Sequence, residues 1–191
     1  MNKLVVFVAA VLMLNGCGYN KMQQLEEEVF KASADVDSAL QRRADLIPNL
    51  VSTVKGYAAH EKETLEAVIK ARSEATSIKL DSATLNDPAA MARFQQAQNN
   101  LSGALSRLLA VAEAYPDLKS NEQFLNLQSQ LEGTENRINV ARTRYNEAVQ
   151  KFNYSIRSFP NSIINEHFLQ LERKEFFKAD EASKEVPKVE F

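Results

Sequence analysis

The sequence predicts an all-α protein, an antiparallel up-and-down helical bundle of four helices, or of three long ones if the first does not break. Three observations carry that expectation. Apolar side chains recur at steps of three and four over long segments, the period of one face of a helix, and no alternating strand run competes with them. Only five glycines and five prolines occur in 191 residues, and four of the prolines fall where a helical pattern kinks or stops. A chain of this length with 45% hydrophobic residues suffices for one folded domain and is short for two. The formal net charge is -2, with both signs interspersed along the chain. Nucleic-acid binding would need clustered basic residues, so no nucleic acid is expected as a partner.

The first seventeen residues differ from the rest. Asn2-Lys3 makes a short basic start, residues 4–14 are an unbroken apolar run, and Asn15-Gly16-Cys17 follows. A helix of that run rises about 16 Å against roughly 30 Å of bilayer hydrocarbon, so it reads as a secretory signal and not as a span. Its ending, Leu14-Asn15-Gly16-Cys17, resembles the bacterial lipobox, in which cleavage before the cysteine leaves an acylated N-terminus. Cys17 is the single cysteine of the chain, which argues against disulfides and for lipidation in an exported protein. Several acyl chains together give stable anchoring. The expected division is a lipoprotein signal peptide at 1–16, a lipid-anchored N-terminus at 17–19, a helical bundle at 20–171 and a charged tail at 172–191, partly packed.

From about residue 20 the stripe runs through Leu25, Val29, Ala32, Val36 and Ala39, then Ile47, Leu50, Val54 and Tyr57. Glu26, Glu27 and Glu28 would suit a helix start near residue 20. Unbroken to residue 81, the helix would outrun any partner in the rest of the chain and expose its stripe. Gly56 and the polar His60-Glu61-Lys62-Glu63 place a break near residues 57–61. Pro48 lies inside the first segment. It deprives the Ala44 carbonyl of its donor, at about 3 kcal/mol unless the helix kinks or that oxygen is rebound.

A turn-like stretch at 81–87 leads to Asp87-Pro88, an N-cap followed by proline at the first helical position. The next helix carries Met91, Phe94, Leu101, Leu105, Leu108, Ala112 and Tyr115 and stops at Pro116. Ser120 and Gln123 suggest a capping box for the last long helix. There Phe124, Leu127, Leu131, Thr134, Ile138, Ala141, Tyr145, Ala148, Phe152, Ser155 and Phe159 keep coiled-coil-like spacing. Asn161 or Ser162 would cap a short helix with Ile163, Ile164, Phe168 and Leu171. Phe176, Phe177, Val186, Val189 and Phe191 make the tail too apolar to lie wholly in solvent.

Three stretches resemble the LemA family of bacterial membrane-attached helical proteins. The first is Gln41-Arg42-Arg43-Ala44-Asp45-Leu46-Ile47-Pro48-Asn49-Leu50-Val51, continuing to His60-Glu61. The second runs from Glu135-Asn136-Arg137-Ile138-Asn139 through Tyr145-Asn146 to Phe159-Pro160-Asn161. The third is Phe176-Phe177-Lys178-Ala179-Asp180-Glu181. The resemblance implies a small antiparallel bundle tethered to a membrane without an established activity. Relatives usually carry a longer transmembrane anchor where this chain has its short run and Cys17.

The residues offer one polar cluster and no catalytic set. Arg42, Arg43, Asp45 and Asn49 surround Pro48, while Asn136, Arg137, Asn139, Arg142 and Asn146 form a second polar group. If the two groups meet, asparagine amides would rebind the carbonyl freed by Pro48 and Asp45 would neutralise an arginine, setting the register of an apolar seam. The competing placements are a groove for a ligand or partner and simple exposure on the surface. His60 and His167 stand alone, too few for a zinc site. No phosphate loop, nucleophile elbow or carboxylate pair is present, so no enzyme, cofactor, metal or small-molecule substrate is expected. The functional expectation is a structural or protein-interaction module of the bacterial cell envelope. It would be bound to membrane lipid through acylated Cys17, on the periplasmic or extracellular face, with an envelope protein as partner. An adaptor for an envelope protease or other membrane enzyme is the alternative. Gly18 in place of an aspartate after the cysteine fits release toward an outer membrane.

Overall fold

The structure is a computed structural model that describes the backbone over residues 2–178 and side chains over residues 18–178. Cys17, as a side chain, and the tail beyond residue 178, with Val186, Val189 and Phe191, lie outside the described residues. The described chain is all-α, and no strand occurs among the described residues. Helix α1 spans Asn2–Tyr57, α2 Lys62–Ser77, α3 Ser82–Asn86, α4 Pro88–Ala112, α5 Pro116–Lys119, α6 Glu122–Arg157 and α7 Asn161–Ile164, followed by a π-turn at Asn165–Leu169. A segment without helix at 171–178 closes the described part.

Helix α1 begins well before residue 20, so Glu26, Glu27 and Glu28 sit inside it and not at its start. Nothing between the apolar run and Met22 stops the helix: no proline or β-branched cluster intervenes. The break after Tyr57 falls at residues 58–61, where Glu61 N–H donates to the Ala58 carbonyl at 3.1 Å. Ala58 is fully buried at this corner. Two side-chain bonds tie the corner to the α4–α6 connection: Tyr115 OH donates to Glu61 at 3.1 Å and Asn121 Nδ2 to Tyr57 OH at 3.0 Å. The stretch after α2 is more ordered than a turn. Asp81 caps α3 by accepting from Thr84 N–H at 2.9 Å, and this bond holds the Asp81 carboxyl below its usual range.

Asp87 caps α4, accepting from Ala89 N–H at 2.8 Å with Pro88 at the first turn. Helix α4 ends at Ala112, before Pro116, because Pro116 opens the single turn of α5. The cap of α6 is Asn121, which accepts from Phe124 N–H at 3.0 Å; Ser120 instead donates to the Asp117 carbonyl. The helix starts at Glu122, so Asn121 and not Ser120 stands at the N-cap position, from which a side-chain oxygen meets the third helical amide. Every expected seam position of α6 from Phe124 to Ser155 is buried, but Phe159 lies beyond the helix end and is exposed. Helix α7 has no side-chain cap from Asn161 or Ser162.

Two clusters make the core. In the distal one, Ile47, Leu50 and Val54 of α1 meet Leu65 and Val68 of α2, Leu101, Leu105 and Leu108 of α4, and Phe124, Leu127 and Leu131 of α6. In the proximal one, Met22, Leu25, Val29 and Val36 of α1 meet Met91 and Phe94 of α4 and Tyr145, Val149, Phe152 and Ile156 of α6. Rising numbers along α1 thus meet falling numbers along α6, so the two run antiparallel. Helix α2, at 16 residues, extends only about 24 Å and stops short of the proximal cluster. Leu85 of α3 and Phe177 of the extended segment complete that cluster.

Candidate functional site

Arg43 is 3% exposed, and three acceptors from two other helices hold its guanidinium. Nη1 donates to Ser102 Oγ at 2.9 Å and to Glu135 Oε2 at 3.0 Å, and Nη2 donates to Gln98 Oε1 at 2.6 Å. Its Nε is buried without a hydrogen-bond partner in the protein. A cavity of about 180 Å³ adjoins it, lined also by Gln98, Ser102, Glu135, Arg142 and Phe177. The i, i+3 and i, i+4 spacing around Ile47 and Leu50 turns Arg43 inward with the apolar stripe. Glu135 is half exposed, so the pair keeps one hydrated end. A positive group held by a carboxylate and two neutral acceptors is a fastener, and neither nucleophile nor base.

The Pro48 problem is solved by a residue outside the predicted cluster. Arg72 of α2 donates from Nε to the Ala44 carbonyl at 2.8 Å, and α1 continues through Pro48 to Tyr57. This corrects the expectation that asparagine amides of the last long helix rebind that oxygen. It also corrects the pairing of Asp45, which is exposed and accepts from Gln41 Nε2 at 2.7 Å on its own helix face. Arg42, Asn49, Asn136, Arg137 and Asn139 are likewise exposed. Of the two predicted polar groups only Arg43 and Arg142 come near one another, lining the same cavity. Arg43 joins Glu135, and Arg142 and Asn146 face the C-terminal segment.

That segment is the second polar assembly. Asn153 Nδ2 donates to the Lys174 carbonyl at 2.9 Å while Lys174 N–H donates to Asn153 Oδ1 at 3.0 Å. Asn146 makes the same double bond to Phe177, at 3.0 and 2.9 Å. The match is metrical. Seven residues of helix between the asparagines rise about 10.5 Å, and three residues of extended chain between their partners span about 10 Å. On the other side Glu175 N–H donates to the Leu85 carbonyl at 2.8 Å and Lys178 N–H to Gln95 Oε1 at 2.9 Å. Tyr145 OH donates to the Glu175 carbonyl at 2.9 Å. Burial, and after it the negative charge of Glu175, pushes the Tyr145 hydroxyl well above the usual tyrosine range.

Arg142 lies over the Phe177 ring at 4.8 Å, and the ring meets Tyr145 edge-on at 5.1 Å between centroids. Lys174, 3% exposed, pairs with Glu26 at 2.9 Å and sits near the faces of Phe30 and Phe152. Gln95, Asn153, Lys174, Arg72 and Gln98 were not singled out in the sequence. Asn153 had a legible signal, since it stands beside Phe152 on the buried side of α6, where an amide must find a partner. His60 and His167 are exposed and far apart in the chain. Among the described residues no group of three or more His, Cys, Asp or Glu is placed to hold a metal ion.

The family model for the LemA family matches residues 32–191. The chain belongs to the LemA family. Similar proteins include Protein LemA of Metamycoplasma hominis, 24% identical over 126 residues, covering 66% of this chain and 53% of that protein. Magnetosome protein MamQ 2 of Paramagnetospirillum magneticum is 26% identical over 158 residues, covering 74% of this chain and 57% of that protein. Magnetosome protein MamQ of Magnetospirillum gryphiswaldense is 25% identical over the same length and coverage. The chain thus spans little more than half the length of these curated relatives. LemA-family membership marks a membrane-associated envelope protein, with no catalytic role indicated. The three stretches that carry the resemblance contain Arg43, Asn146 and Phe177, members of the two internal polar assemblies. No helix among the described residues is long and apolar enough to cross a membrane.

Proposed function

We propose that this LemA-family chain is a structural or protein-interaction module of the bacterial envelope, an antiparallel up-and-down bundle held to an extracytoplasmic membrane face by acylated Cys17. The observation that carries this reading is the position of Cys17, the single cysteine, which closes the short apolar run and lies in α1 directly before the packed part of that helix. A bundle joined so directly to its attachment point has almost no tether, so its orientation to the membrane follows from the helix itself. The reading gains support from where the polar side chains go. Arg43, Arg72, Asn146, Asn153 and Lys174 each bond to another part of the same chain, which is what a module built for shape requires.

The test is metabolic labelling with a palmitate analogue in wild type and Cys17→Ser. Label is expected in wild type and absent from C17S, with the variant either unprocessed or released from membranes. Equal label in both would overturn the acyl anchor.

A further inference from the structure

At the proximal end the packed body and the anchor-bearing helix meet closely. A Cβ at Gly18 would lie 2.5 Å from Asn161 Oδ1 and 3.3 Å from Ile164 Cδ1, so α7 sits against α1 one residue above Cys17. Asn161 Nδ2 in turn donates to Ser155 Oγ at 3.3 Å, fixing α7 to the last turn of α6. The chain then passes through the π-turn, reverses at Gln170 with φ 50°, and leaves as the extended segment. Asn165 secures that reversal by bonding both the N–H and the carbonyl of Leu171, at 2.8 and 3.0 Å. The base is therefore a built platform with a defined shape.

This platform presents its apolar side chains outward. Phe159 at 82% and Phe168 at 78% are the two most exposed large apolar side chains among the described residues. Ile163, Tyr154 and Tyr19 are exposed with them at the same end of the molecule. Of the other exposed large apolar residues, Tyr57, Ile69 and Leu125 lie singly in the distal half and Val140 lies singly midway along α6, which is ordinary for a protein surface. A concentration of aromatic rings at one end marks a docking surface. Its occupant is indicated by what lies next to it. Cys17, the lipid-bearing residue of the reading above, directly precedes Gly18 in the same helix α1. Adjacent Cα atoms are 3.8 Å apart, so any attachment of residue 17 to lipid brings α7 and the π-turn to the headgroup level at once.

We infer that Tyr19, Tyr154, Phe159, Ile163 and Phe168 form a collar that seats in the headgroup and upper acyl region of a phospholipid bilayer, standing the bundle upright on the membrane. This rests on the membrane attachment proposed above, and deepens it by naming the surface that touches lipid. Tyrosine and phenylalanine suit that position because the interface accepts an apolar ring with or without a polar tip. Interfacial elements bury such side chains about 5–10 Å deep, within reach of short loops such as these. The collar explains why Phe159 departs from the seam of α6: its ring is placed for lipid and not for the core.

The chain contains no tryptophan, so single-tryptophan variants report position without background. Phe168→Trp and Phe159→Trp probe the collar in the full chain, and Tyr57→Trp, about 58 Å further along α1, probes the far end. Each is reconstituted into phosphatidylcholine vesicles with and without brominated acyl chains. F168W and F159W are expected to shift to shorter wavelength and lose about half or more of their emission to the brominated lipid, with Y57W unchanged. Unquenched F168W and F159W in protein that floats with the vesicles would overturn the collar and leave the anchor standing. Equal quenching of Y57W would overturn the upright seating in favour of a molecule lying flat. Repeating F168W in the C17S chain separates the two ideas. Palmitate label surviving C17S sinks the acyl anchor, while the quenching of F168W still decides the collar.

Discussion

The distal and proximal halves of this protein solve the same packing problem by different means. In the distal half α2 packs against α4 and α1, and its apolar side chains such as Leu65 and Val68 join the distal cluster. Helix α2 satisfies its own backbone, so the groove needs to supply only apolar surface. In the proximal half α2 is absent, and residues 171–178 complete the packing as extended chain. Extended chain brings unpaired N–H and carbonyl groups into the protein, and each must be bonded. That is why Asn146, Asn153, Gln95 and Tyr145 line this groove. A groove that receives a helix can be generic, whereas one that receives chain without its own backbone bonds must be polar at fixed intervals.

If that contrast is right, Asn153→Ala should be among the most damaging single changes in the proximal half. It strips both bonds from the buried backbone of Lys174, and two buried unsatisfied groups cost about 2–5 kcal/mol together. Leu50→Ala in the distal half, a pure cavity mutation, should cost a similar 2–5 kcal/mol. Urea unfolding of both variants makes the comparison. A loss below about 1 kcal/mol in N153A would mean that the extended segment contributes little to stability and the two halves are not equivalent.

The boundary between the halves is set by Arg43, and a pair of carboxylate deletions sharpens its role. Glu135→Ala leaves a buried guanidinium without its carboxylate, which costs up to about 3–5 kcal/mol for a fully buried pair. Because Glu135 is half exposed, solvent screening reduces the expected loss to about 2 kcal/mol. Asp45→Ala removes only an exposed bond to Gln41 and should cost no more than about 0.5 kcal/mol. Thermal or urea midpoints that rank D45A as the worse of the two would contradict the placement of Asp45.

A smaller effect distinguishes the proximal groove by pH. The folded-state pKa of Tyr145 is raised, so its contribution to stability is complete below the usual tyrosine value of about 10 and is lost as pH rises toward the folded value. Wild type should therefore weaken progressively above about pH 10. Tyr145→Phe should start about 1 kcal/mol less stable at neutral pH, having lost the bond to Glu175. Above pH 10 its stability should fall less steeply, by up to about 1.4 kcal/mol per pH unit. Parallel slopes for the two proteins between pH 10 and 11 would show that Tyr145 ionises freely in the fold. Tyr115, whose hydroxyl is raised by its bond to Glu61, remains in both and sets a common background.

Local sequence determined most of the fold. The all-α class and the buried face of α6 from Phe124 to Ser155 follow from which side chains share a helix face, and the break after Tyr57 and the Asp87-Pro88 start follow from local breaker and capping residues. Phe177 was also legible as too apolar for solvent, and it is buried. The partners of the polar groups were decided elsewhere. Whether Arg43 meets Asp45 or Glu135, and whether Ala44 is rescued by an asparagine or by Arg72, depends on the azimuth of each helix and on the chain reversals between helices. One residue of spacing turns a side chain by about 100° around its axis. Asp45, two residues from Arg43, is turned through about twice that angle, to the solvent side. For Asn146 the sequence shows an amide among inward positions without showing what arrives there. Only the tertiary structure brings the extended chain at residues 171–178 to it, by ending α2 short and returning the chain from the base. A hydrogen bond between distant segments needs both ends placed within a few tenths of an ångström, and that precision belongs to the packed molecule as a whole.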